Sequence, residues 1–64
     1  MKMWYEVKHK GKTKKFENER DSFKFAGALE VFGYDVEVLV VTVTLYTTIT
    51  TTLYKTAKNK KSSI

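Results

Sequence analysis

The chain has no cysteine, a single histidine and only three glycines among its 64 residues. Without cysteine it can form neither a disulfide nor a thiolate metal site. With His9 as its one imidazole, it cannot assemble a zinc cage from the usual nitrogen and sulfur ligands either. A chain of this length is one domain at most, and it buries only about 60% of the surface that its unfolded form exposes. Small domains without disulfides or metals are usually supported by an oligomeric partner, so self-association is expected.

A catalytic set is lacking as well. His9 stands among Lys8, Lys10 and Lys12, and the only serines are Ser22, Ser62 and Ser63, so no nucleophile–base pair can be named. Glu17, Glu19 and Asp21 read as the acidic start of a helix rather than as a cation site. Gly11, Gly27 and Gly33 are scattered, reading as a turn, a helix contact and a cap rather than as a phosphate loop. The chain is therefore expected to bind rather than to catalyse, with no cofactor and no metal. Met1-Lys2-Met3-Trp4-Tyr5-Glu6 reaches a charge before any apolar run, so no secretory signal is read there. A cytoplasmic location is expected, which suits a cysteine-free chain.

The net charge of +5 is unevenly spread. Lys8 to Lys15 holds five lysines and no acid, and Lys55 to Ile64 holds four lysines and no acid. Between them, six acids (Glu17, Glu19, Asp21, Glu30, Asp35 and Glu37) face only Arg20 and Lys24. A basic hairpin, an acidic middle and a basic tail suit electrostatic steering better than a uniform nucleic-acid groove.

Trp4 to Lys8 alternates as a first strand, Lys10-Gly11 supplies a two-residue turn, and Thr13 to Phe16 returns as the second strand. That register sets Tyr5 opposite Phe16 and Val7 opposite Lys14. Asn18-x-x-Asp21 has the form of a capping box. A helix is expected from about Glu19 to Phe32, closed by Gly33 in a left-handed conformation with Tyr34 behind it. Phe25, Leu29 and Phe32 form its core stripe, and Phe23, Gly27 and Val31 form a second apolar line roughly opposite.

From Val38 to Tyr54 there are seventeen residues without a charge: eight aliphatic, seven threonine and two tyrosine. Their β-branched density favours strand over helix, and Leu, Val or Ile stand at positions 39, 41, 43, 45, 49 and 53. One straight strand from Val36 to Tyr54 would reach roughly 60 Å at about 3.3 Å per residue, whereas a compact domain this small is about 28 Å wide. The excess is resolved by overhang onto a second chain, by folding back near Tyr46 to Thr48, or by a membrane helix. No Gly, Asn, Asp or Pro marks a turn there, so the overhang is the leading expectation.

The expected fold is α+β: a β-β-α-β domain over residues 1–54 with a basic disordered tail over 55–64. Its three antiparallel strands take the order 2-1-3, one helix covers one face, and the long third strand extends into the sheet of a homodimer. Tyr5, Val7, Phe16, Phe25, Leu29, Phe32, Leu39, Val41 and Val43 would form the core. Trp4, Val38 and Val40 would face outward on the uncovered side. The candidate partner or dimer interface is Phe23, Gly27, Val31, Trp4, Val38, Val40, Leu45, Ile49 and Leu53. Nucleic-acid binding through Lys8, Lys10, Lys12, Lys14 and Lys15 is the alternative. The near absence of arginine counts against it, since bidentate base recognition lacks its usual donor. A single membrane span over Val38–Tyr54, flanked by lysines, is the second alternative, weakened by seven threonines and a period of two.

The run Trp4-Tyr5-Glu6-Val7, Gly11-Lys12, Phe16-Glu17, Phe25-Ala26-x-x-Leu29 and Gly33-Tyr34-Asp35-Val36 resembles, in layout, the short β-β-α-β proteins encoded by bacteriophages. Those proteins serve in host takeover and anti-defence by binding and inhibiting one bacterial protein. The likeness spans residues 3–43 and carries no functional residue with it. It implies a small inhibitor or adaptor without enzymatic activity, often dimeric, working in the host cytoplasm.

Overall fold

The computed structural model describes residues 1–56. Five elements follow in order: β1 (Lys2–His9), β2 (Lys12–Phe16), α1 (Glu19–Val31), β3 (Glu37–Val43) and β4 (Thr48–Lys55). The strands form one antiparallel sheet in the order β2-β1-β3-β4. The α+β class and the antiparallel hairpin agree with expectation. The sheet has four strands rather than three.

The β1–β2 hairpin turns on Lys10 (φ 51°) and Gly11 (φ 76°). Two successive left-handed residues match the twist of the flanking strands, and glycine meets this at no steric cost. The turn fixes the register, with Tyr5 opposite Phe16 and Val7 opposite Lys14.

Helix α1 is closed at both ends by side-chain and backbone chemistry. Asn18 accepts from the Asp21 backbone N–H through Oδ1 at 2.8 Å, and its Nδ2 donates to the Asp21 carboxylate at 3.2 Å. At the other end Gly33 (φ 92°) lets its own N–H reach the Glu30 carbonyl at 2.9 Å and the Tyr34 N–H reach that of Leu29 at 3.0 Å. These paired bonds satisfy carbonyls that a helix terminus would otherwise leave bare. Ser22 and Ala26 face the sheet, fully or almost fully buried, and the Ser22 hydroxyl is satisfied by the Glu19 carbonyl at 2.7 Å.

The core lies between α1 and the face of the sheet that carries Val7, Val36 and Val38, with Phe16, Phe25, Leu29 and Tyr34 packed against it. Strand alternation then turns Leu39, Val41 and Val43 to the opposite face, beside Trp4 and Glu6. Expectation had the reverse, with Leu39, Val41 and Val43 under the helix and Val38 and Val40 outside. The reason is local: Val38 through Val41 are all apolar, so their pattern carries no phase, and a one-residue slip exchanges the faces. Leu39 and Val41 are still buried, since the register sets them against Glu6 and Trp4 on one side and Thr52 and Thr50 on the other. Phe32 departs from the expected core too; it is the C-cap residue, past the last helical turn, and is 80% exposed.

The long uncharged run folds back on itself. It becomes β3, a turn over Thr44 to Thr47, and β4, so one overhanging strand is not formed, and neither is a membrane-spanning helix. No helix among the described residues is long and apolar enough to cross a membrane. The Thr44 hydroxyl makes the turn: it accepts from the backbone N–H groups of Tyr46 and Thr47 at 3.3 and 3.2 Å and donates to the Thr47 carbonyl at 3.2 Å. The Thr44 N–H donates to that same carbonyl at 2.8 Å. Threonine thus takes the part that Asn or Asp commonly plays in turns. Strand β4 runs further than expected, for Lys55 is its last residue and Thr56 still pairs with Val36. The remainder of the expected tail, 57–64, lies outside the described residues.

Replacing Thr44 by Val, which keeps the shape and deletes the hydroxyl, is expected to cost about 1–2 kcal/mol through the lost turn bonds. A lower urea midpoint at unchanged slope would report it. Thr44→Asn should restore the midpoint, and a Val variant as stable as the parent would remove the hydroxyl from the account of the turn.

Candidate functional site

Helix α1 packs over β1, β2 and β3, and its backbone stays clear of β4. Only side chains cross that gap. The Phe23 ring lies 6.3 Å from the Tyr54 ring, and the Tyr54 hydroxyl donates to the Glu30 carboxylate at 2.5 Å. The Thr56 hydroxyl donates to the same carboxylate oxygen at 3.3 Å. The helix face of the sheet is therefore roofed on the β2 side and open on the β4 side.

The cross-strand register describes what the open part carries. Met3, Thr42 and Ile49 form one row on the helix face, and Tyr5, Val40 and Thr51 form the next. Met3 and Ile49 are each 53% exposed. With Phe23, 36% exposed beside the Tyr54 ring further along the same face, they make an apolar shelf that ends at the outer edge of β4. Every residue of β4 is exposed. No charge occurs from Thr48 to Tyr54, and among the described residues no strand lies beyond β4. The opposite edge, β2, carries Lys12, Lys14 and Lys15 among its five residues. Lysines of that kind keep a free edge from pairing with another chain, and β4 has none until its last residue. A bulge inserts Leu53 between the partners of Leu39 and Val38, leaving Thr48–Thr52 as the regular stretch of the edge.

The residues singled out from the sequence fall into several places. Phe23 belongs to the shelf. Gly27 lies on the same side of the helix, and a Cβ there would meet nothing within 4 Å. Val31 stands apart, 84% exposed near the helix end. Ile49 and Leu53 are on β4, and Leu45 is in the β3–β4 turn, 92% exposed. Val38 is fully buried under the helix and has no surface to offer, and Val40 lies on its side of the sheet. The patch expected from Trp4, Val38 and Val40 is thus not formed, because Trp4 lies on the other face. Met3, Thr51 and Tyr54 were missed, since only the four-stranded register brings them together.

On that other face Trp4 is already engaged. Its indole N–H donates to the Glu6 carboxylate at 2.8 Å, and the Lys15 ammonium sits 4.3 Å from the ring centre. The five hairpin lysines do not share one face. Lys8 and Lys15 lie beside Glu6, whereas Lys12 and Lys14 follow His9 and Val7 to the helix side. Lys10 projects from the turn over the Tyr34 ring at 4.8 Å. A depression of about 420 Å³ at this end of the sheet is lined by Lys8, His9 and Lys10 together with Asp35, Glu37 and Lys55, so its charges are mixed. His9 is wedged edge-on against Phe25 and Tyr34, both at 5.9 Å, and its Nδ1 is buried without a partner among the described residues. Among the described residues no group of three or more His, Cys, Asp or Glu could hold a metal ion.

No family model matches the chain, and no curated protein or solved structure was found that matches it.

The Glu30 carboxylate, by accepting the Tyr54 hydrogen bond, holds that phenol above its ordinary value of 10.0; partial desolvation and the carboxylate charge act in the same direction. A raised acid stabilises the fold while it is protonated. The contribution is complete below pH 10.0 and is lost as pH climbs through the raised value. Glu30→Gln should bring the Tyr54 titration down toward its ordinary value, read from phenolate absorbance against a Tyr54→Phe reference. An unmoved titration would mean that the shelf is not tied to α1 in this way.

Proposed function

We propose that this chain is a small non-enzymatic protein-binding module whose binding element is the free edge of β4 with the apolar shelf beside it. The observation that carries the reading is the contrast between the two sheet edges: one is guarded by three lysines in five residues, and the other presents a strand that is exposed along its length and uncharged up to its last residue, Lys55. An unguarded edge accepts a further strand through main-chain hydrogen bonds, while side chains on the adjoining face add selectivity. Threonine suits this role, because its β-branched side chain favours the extended backbone without adding much apolar surface.

Nucleic-acid binding is less well supported. The lysines divide between two faces, and Lys15 occupies the ring face of Trp4 that a base would need. Inhibition or modulation of a bacterial host protein, in the manner of the phage proteins that the layout resembles, is the biological setting proposed for this edge.

The immobilised chain should retain a protein from a bacterial lysate. A variant with Ile49→Lys and Thr51→Lys, which gives β4 the guard that β2 already has, should lose it with circular dichroism unchanged. Equal retention by the parent and this folded variant would defeat the reading.

A further inference from the structure

We infer that a second copy of this chain occupies the β4 edge, joined antiparallel about a two-fold axis beside Thr50 to give one eight-stranded sheet. The inference rests on the reading of β4 as the binding edge and names what pairs with it.

Charge selects the pairing. In a chain of net charge +5, joining β2 to β2 would set Lys12, Lys14 and Lys15 against their own copies. Joining β2 to β4 would be head-to-tail, leaving a free edge at each end on which further copies could add without closure. Only β4 against β4 avoids lysine facing lysine and also closes the assembly. Its one charged residue, Lys55, ends the strand. Antiparallel pairing sends the two copies of Lys55 to opposite ends of the seam, well beyond the roughly 8 Å over which charges interact at physiological salt.

The bulge sets the register. Thr48–Thr52 is the regular stretch, and its centre is Thr50. Pairing about that residue places Ile49 opposite the Thr51 of the second copy on the helix face. It also lines up Thr48, Thr50 and Thr52 from both copies on the other face. Such cross-strand neighbours are the unit of sheet stabilisation.

The same geometry says what does not hold the dimer. With α1 seated over β1, the two helices lie five strand spacings apart, roughly 24 Å, whereas packed helices approach to about 8–10 Å. The seam is made by strands alone, and the outer surface of the helix is free of it.

The test uses the full chain, whose lack of cysteine makes any introduced thiol an unambiguous reporter. Sedimentation equilibrium should give twice the chain mass at micromolar concentration. Under mild oxidation Thr50→Cys should cross-link at least tenfold faster than Thr13→Cys, which lies on the β2 edge. Thr50→Lys should weaken the dimer at least tenfold, and Val31→Glu should leave it unchanged. A monomer throughout the concentration range would overturn the inference, as would a dimer in which Thr13→Cys cross-links as fast as Thr50→Cys or in which Thr50→Lys has no effect. A monomer that still loses its lysate partner through Ile49→Lys and Thr51→Lys would refute the second copy and leave the binding edge standing. A dimer through β4 whose lysate retention ignores those substitutions would leave the second copy standing and defeat the reading of β4 as the edge that takes the lysate partner.

Discussion

A single helix of thirteen residues serves a sheet of four strands. Such a helix is about 20 Å long and about 10–12 Å wide with its side chains, while four strands span roughly 15 Å between the outer backbones alone. One of the outer strands must go uncovered, and the packing of α1 over β1, β2 and β3 makes it β4. Most surface features of the protein follow from this shortfall of cover. Tyr54 is drawn toward Glu30, Phe23 leans over Tyr54, and Ile49 and Met3 are left half in water at the open end of the same face.

The face without a helix manages its apolar residues by another route. Leu39 and Val41 are 4% and 5% exposed although no second layer among the described residues covers them. Their neighbours across the strands are Glu6 and Trp4, and the carboxylate of Glu6 holds the indole while Lys15 lies over its ring. An exposed cation–π contact is worth only about 0.5–1 kcal/mol, so this arrangement stabilises less by its own energy than by keeping a large flat side chain beside two aliphatic ones. The lysines of β2 accordingly have structural employment. Lys15 lies over Trp4, and Lys14 lies within 6 Å of the Phe16 and Phe25 rings.

Where local chemistry decided the conformation, the sequence was readable. Lys10-Gly11 set the hairpin register, Asn18 and Asp21 started the helix, and Gly33 ended it, because each acts on backbone within a few residues of itself. Two features resisted reading for physical reasons. The four consecutive apolar residues Val38 to Val41 fit either face, so only packing against α1 could choose the phase of β3. The β3–β4 turn carries no Gly, Asn, Asp or Pro, and a threonine hydroxyl closes it instead, in a run where threonine is also the commonest strand residue. Of the candidate surface, Phe23, Ile49 and Leu53 were legible as apolar residues in excess. The grouping of Phe23 and Ile49 with Met3 and Tyr54 was not, since it depends on a fourth strand pairing back onto the third.

Folding back disposes of the excess reach of the uncharged run but not of its excess surface. As one long strand, Val36 to Tyr54 would have outrun the body of the domain. As two strands, it fits along the body and leaves every residue of β4 exposed, with the backbone of α1 clear of the strand. A cysteine-free domain of this size has little core with which to offset the ordering of an eight-residue strand on which every residue stays exposed. Pairing on the outer edge would supply the missing hydrogen bonds and cover Ile49 without requiring the helix to move. The lysines that would prevent such pairing are concentrated on the other edge of the sheet, so the distribution of charge and the distribution of cover select the same strand.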